Sequence, residues 1–119
     1  NKGDSCVIQA NMPYLFEAFK MGARGVMATP TSCGGAFFQR FYDAFVSGDM
    51  ALAEKRFNEI TLLDCAIDSG FNCSAKYLVQ LQGVEDMKPR NRGGQKLSGA
   101  RMESLKSFHN WCVAEGLMK

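Results

Sequence analysis

A chain of 119 residues with 46% apolar content is long enough to bury one core, and a formal charge of +2 is too small to mark a binder of nucleic acid or of an anionic membrane. No apolar run approaches the roughly 20 residues of a membrane-spanning helix. Five cysteines at wide spacing, with no C-x-x-C pair and one histidine, argue against a zinc framework and a dense disulfide scaffold, and so for reduced thiols in a cytoplasmic protein.

The opening Asn1-Lys2-Gly3-Asp4 has neither an initiator methionine nor a signal pattern, as expected of a fragment or a processed product. Cys6–Gln9 is the first expected strand. Asn11-Met12-Pro13 marks a helix start, because Asn can cap free amides and Pro is tolerated in a first turn. Leu15, Phe16, Phe19 and Met21 follow at helical spacing, and Gly22 stops the helix. Val26–Thr29 is a short uncharged run, expected as a second strand that Pro30 ends. A strand, a helix and a strand in this order make a βαβ unit with parallel strands.

The loop Pro30–Gly35 lies beyond the carboxyl end of that strand, where parallel α/β sheets place ligands. A second helix is expected from Ala36 to about Ser47, stopped by Gly48, with Phe37, Phe38, Phe41, Tyr42, Phe45 and Val46 apolar. Asp49 is placed to cap a third, running to about Ser69 with Leu52, Ala53, Phe57, Ile60, Leu63 and Ile67 on its buried stripe. A shorter helix follows Asn72 or Ser74 and ends at Gly83; residues 84–97 show no period; a last helix runs from Ser98 to Gly116.

Two parallel strands leave both edges of a sheet open, and parallel sheets are ordinarily buried on both faces. The missing strands come from upstream sequence, from another chain, or not at all. The first of these makes the chain the tail of a larger parallel α/β protein.

Phe16-Glu-Ala-Phe-Lys-Met-Gly-Ala-Arg-Gly-Val-Met-Ala-Thr29, followed by Phe41-Tyr-Asp-Ala-Phe-Val-Ser-Gly-Asp-Met-Ala-Leu-Ala53, resembles the dihydrodipicolinate synthase and N-acetylneuraminate lyase family of Schiff-base, pyruvate-handling lyases. The likeness is specific at Gly22–Thr29 and Tyr42–Asp49 and loose beyond Gly70. It implies an α/β fold: the last two βα units of a (β/α)8 TIM barrel, followed by a carboxy-terminal helical extension. Residues 1–48 are then the barrel part, with strands seven and eight, and residues 49–119 the extension. It also implies a homo-oligomer, since such enzymes are commonly tetramers.

Enzymes of this family form an imine between a lysine and the ketone of an oxo acid, which then serves as an electron sink. The resemblance puts that lysine on the sixth strand, upstream of Asn1, so no catalytic residue is expected in this chain. Lys2, Lys20, Lys55, Lys76, Lys88, Lys96, Lys106 and Lys119 all fall at the wrong end of the barrel or in the extension. No cofactor or metal is implied. The positions that match the family's substrate-selecting wall are Ala10, Asn11 and Met12, where acidic residues are usual. This departure favours a sugar-acid dehydratase or a hydratase-aldolase. On the eighth strand, Met27 and Thr29 match the ligand-facing carbonyl and hydroxyl, and Ser32 replaces the usual Asn. Asn11, Met27 and Thr29 are therefore the substrate-binding candidates, for a small oxo acid.

Plainer roles stand beside these. Asn11 is placed to cap the helix that follows it, and Thr29 to be an ordinary strand-end hydroxyl. Cys33 has no neighbour to activate a thiolate. Lys88–Lys96 is a basic cluster without interleaved aromatics, expected as a solvated loop and not an RNA site. His109, lacking a carboxylate or serine at supporting spacing, is expected to be structural or exposed. The reading that results is the carboxy-terminal part of a Schiff-base carbon–carbon or carbon–oxygen lyase acting on pyruvate or 2-oxo sugar acids, inactive without the missing barrel half. The alternative is a non-catalytic helical module that binds a protein partner.

Overall fold

Apolar residues recurring every three to four positions build most of this chain. The computed structural model describes residues 7–67, 71–89 and 97–119, with the backbone alone at 29, 71 and 72. Five α-helices run α1 (Leu15–Lys20), α2 (Gly35–Val46), α3 (Met50–Ile67), α4 (Phe71–Leu81) and α5 (Gly99–Ala114). Two strands, β1 (Ile8–Gln9) and β2 (Gly25–Val26), pair in parallel with Ile8 opposite Gly25 and Gln9 opposite Val26. Each strand is followed by a 3-10 turn, Met12–Tyr14 after β1 and Thr29–Ser32 after β2.

The expectation of two βα units of a TIM barrel is overturned: the described chain is a small, mostly helical domain with a two-stranded parallel sheet. The reason is local. The run expected as a strand over Val26–Thr29 pairs only through Gly25–Val26, because Pro30 fits the first turn of a helix. Thr31 closes that turn by donating both its N–H (3.1 Å) and its hydroxyl (2.5 Å) to the Ala28 carbonyl. At the first strand, Cys6 lies outside the described residues, and only Ile8–Gln9 pairs.

The core lies between helices. Phe37, Phe41 and Ala44 of α2 are buried, as are Ala53, Ile60, Leu63 and Ile67 of α3. Leu15, Phe16 and Phe19 close one end from α1, and Tyr77, Leu78, Leu105 and Cys112 close the other from α4 and α5. Phe41 is the hub of an aromatic cluster, its ring centroid 5.3 Å from Phe19, 5.8 Å from Phe16, 6.1 Å from Phe45 and 6.3 Å from Phe57. Such pairs add to the area they bury.

The helix ends follow sequence logic. Asp49 Oδ1 accepts from the Leu52 N–H at 3.1 Å, and Ser98 Oγ accepts from the Arg101 N–H at 3.1 Å. Gly22 and Gly83 end α1 and α4 at φ 106° and 114°, a region that favours glycine. Arg40 donates to the Gly116 carbonyl at 3.3 Å and so fastens the carboxyl end of α5 to α2, where a cation suits the helix dipole. No helix among the described residues is long and apolar enough to cross a membrane. The end expected for the third helix, at Ser69, and most of the Lys88–Lys96 cluster lie outside the described residues.

Ser74 is fully buried on α4, and its hydroxyl has no hydrogen-bond partner among the described residues. A buried hydroxyl left unsatisfied costs about 1–3 kcal/mol, and alanine removes it with little loss of volume. Ser74→Ala is therefore expected to raise stability by about 1 kcal/mol, read as a higher urea midpoint at unchanged slope.

Candidate functional site

Because the strands are parallel, their carboxyl ends point the same way, and the two 3-10 turns stand side by side there. Helix α3 packs against both turns. Together they enclose an open pocket of about 680 Å³, lined by Gln9–Pro13 from the first crossing, by Met27, Ala28 and Pro30 from the second, and by Asp64 of α3. This volume suits a small molecule.

Asn11 and Met27, two of the three residues expected to bind substrate, line this one pocket. The third, Thr29, opens the second 3-10 turn, and its side chain lies outside the described residues. Asn11 stands at the N-cap position of the first turn, yet its side chain makes no capping bond. Gln9 supplies the local polar contact instead, its Oε1 accepting from the Ala10 N–H at 3.0 Å and the Asn11 N–H at 2.8 Å. That bond curls the chain as it leaves β1 and frees the Asn11 amide for the pocket. Met27 is 71% exposed at the rim, and Met12 is buried in the wall.

Asp64 was not among the sequence candidates. It lies four residues after Ile60 and three before Ile67, both fully buried, so the helical period itself puts a carboxylate on the inward face of α3. Among the described residues, no lysine, arginine or histidine lines the pocket. Lys20 is held elsewhere, paired with Glu17 at 3.0 Å and lying 4.1 Å above the Phe16 ring. His109 is far along α5, its Nε2 2.6 Å from the Lys119 carbonyl oxygen. Among the described residues no three His, Cys, Asp or Glu side chains cluster as metal ligands would. The pocket thus offers two side-chain amides and one carboxylate over an apolar floor, a set that recognises hydroxyl groups and leaves an anion without a counter-charge.

Cys33 sits just behind the second turn, 4% exposed, with its thiol 3.6 Å from the Pro30 carbonyl. Burial pushes this thiol up to about 11, and burial, with the Cys33 charge as the second cause, pushes Cys112 up to about 12. Both are thiols, not thiolates, near neutrality, which removes Cys33 as a nucleophile. A thiol raised in the folded state stabilises the fold below its unfolded value of about 8.5, and that stabilisation is lost as pH rises through the folded value. Stability is expected to fall between about pH 9 and 11. The Cys33→Ala chain should show a flatter profile over that window in pH-resolved urea melts, and iodoacetamide at about pH 8 should mark exposed Cys65 before buried Cys33, Cys73 and Cys112.

Comparison of the chain with protein-family models, with characterised proteins and with solved structures finds no match in any of the three.

Proposed function

We propose that this chain forms the wall of a small-molecule site that receives the hydroxylated end of a 2-oxo sugar acid, within a Schiff-base lyase whose imine-forming lysine lies outside the chain. The observation that supports this reading is the pocket at the strand ends, which holds Asn11 and Met27 together and adds Asp64. Asn11 can donate to and accept from sugar hydroxyls, Gln9 can donate through Nε2 while its Oε1 holds two backbone N–H groups, and the Asp64 carboxylate can accept. Met12, Met27 and Ala28 give the carbon skeleton an apolar surface to lie on. With no cation among the described residues of the wall, the ligand's own carboxylate turns outward, toward the group that supplies the lysine.

The test uses 2-keto-3-deoxygluconate and pyruvate as separate probes, followed by the Met27 methyl signal and by calorimetry. The sugar acid is expected to shift Met27 and bind in the millimolar range, and pyruvate to leave it unmoved. Asn11→Ala and Asp64→Asn should each weaken binding by about fivefold to tenfold, one hydrogen bond's worth. Borohydride with pyruvate should trap no lysine adduct. An adduct on this chain, or sugar-acid binding indifferent to both substitutions, overturns the proposal.

A further inference from the structure

We propose that the edge of β2 left unpaired among the described residues, with the apolar groove beside it, docks an extended segment of a partner protein that carries apolar residues at alternate positions and an acidic one on the same face. The surface is separate from the sugar-acid pocket, and either assignment can fail without the other.

The backbone carries the first part. In a parallel ladder alternate residues of a strand bond to opposite sides. Met27 donates its N–H to the Gln9 carbonyl at 3.0 Å, across the pair, so Val26, one residue back, turns its N–H and C=O to the far edge. Sheet edges of this kind accept an added strand, the backbone giving affinity and the flanking hollows giving selectivity.

The hollows are present, and they follow one another along this edge. One of about 340 Å³ lies beside Gly22, Ala23 and Arg24, against Phe45 and Val46 of α2. The next, of about 210 Å³, lies beside Arg24, Gly25 and Val26, against Phe38 and Gln39. Both share Phe19, Arg24 and Tyr42, which form the ridge between them. Side chains two positions apart on a strand stand about 7 Å apart on one face, so two of them can occupy the successive hollows.

Charge selects the partner's chemistry. Arg24 is the single charged residue lining either hollow, it is exposed, and its guanidinium makes no hydrogen bond or ion pair among the described residues. Asp43, the nearby carboxylate on α2, lines neither hollow and accepts from Gln39 Nε2 at 2.8 Å. An acidic side chain on the same face of the incoming strand, two positions from the nearer apolar one, completes a charge-assisted pair with Arg24. The hollow beside β1, lined by Val7, Gln9, Ala18, Met21, Gly22 and Ala23, has no charge among the described residues to make that choice.

The test displays random heptapeptides to the full chain and measures binding of the enriched peptides. Enrichment of alternating apolar residues with Asp or Glu is expected, with slowed amide exchange at Val26 in the bound state. Arg24→Glu should weaken those peptides at least about tenfold and turn selection toward Lys and Arg, the fold being unaffected at an exposed position. No enrichment, affinity unmoved by Arg24→Glu, or protection at Ile8 in place of Val26 overturns the proposal. A dimer of the free chain that protects Val26 also overturns it, by making a second copy the occupant.

Discussion

Replacing Phe41 with alanine is expected to remove about 3–5 kcal/mol of folding stability, roughly a fifth or more of what a domain ordinarily has. Phe41 is 1% exposed and lies within aromatic-pair distance of Phe16, Phe19, Phe45 and Phe57. Those four rings come from α1, α2 and α3, so one side chain joins the three helices that support the sheet. Its loss leaves a cavity walled by rigid rings, and rings close such a space poorly. Urea denaturation should show the loss directly, with a thermal midpoint lower by more than about 10 °C. Tyr42, the next residue, is 44% exposed and makes one edge contact with Phe19 at 6.5 Å. Tyr42→Ala is therefore expected to cost about 1 kcal/mol or less. Equal costs at the two positions would mean that the aromatic cluster is not what holds α1, α2 and α3 together.

The helices were legible because their signals are local. The stripe expected on the third helix holds at Ala53, Ile60, Leu63 and Ile67, and the stops at Gly22, Gly48, Gly83 and Gly116 all have positive φ. Asp49 and Ser98 cap as their positions imply. The barrel reading failed because strand order along the chain says nothing of how many strands share a sheet. Val26–Thr29 is a four-residue apolar run, too short for periodicity to separate a strand from a turn, and Pro30 resolved it toward the turn. Tyr42 and Val46 also had the spacing of a buried face and are exposed, since α2 turns that flank toward the open edge of β2.

At the pocket, Asn11 and Met27 were named as positions that match the resembled family, and both line it. The capping role preferred for Asn11 was not borne out, because Gln9 supplies the polar contact at the turn. Asp64 went unnoticed although its period was readable: a carboxylate in register with Ile60 and Ile67 falls toward the inward side of α3, where it is half-buried. What brings it to the pocket is the packing of α3 against both turns, and that packing is tertiary.

Gly34→Ala and Gly35→Ala are expected to move stability in opposite directions, although the residues are neighbours. Gly34 has φ −136°, which any residue adopts, so space and not conformation fixes its identity. A Cβ there would overlap Leu63 Cδ2 outright and lie 3.1 Å from Phe37 Cδ1 and 3.4 Å from the Pro30 carbonyl oxygen. Leu63 and Phe37 are both fully buried, so neither can move aside cheaply. The clash should cost about 1–3 kcal/mol by urea denaturation. The Gly34 N–H also donates to the Pro30 carbonyl at 3.0 Å, so the same displacement reaches Pro30 in the pocket wall. At Gly35 a Cβ meets nothing within 4 Å, and the position begins α2. Alanine there should gain about 0.5 kcal/mol through helix propensity and a less flexible unfolded chain. Trimming Leu63 to alanine in the Gly34→Ala chain should recover about 1 kcal/mol relative to the sum of the single changes. Additive costs would place the constraint on Gly34 elsewhere than Leu63, and a loss at both glycines would make it one of backbone freedom.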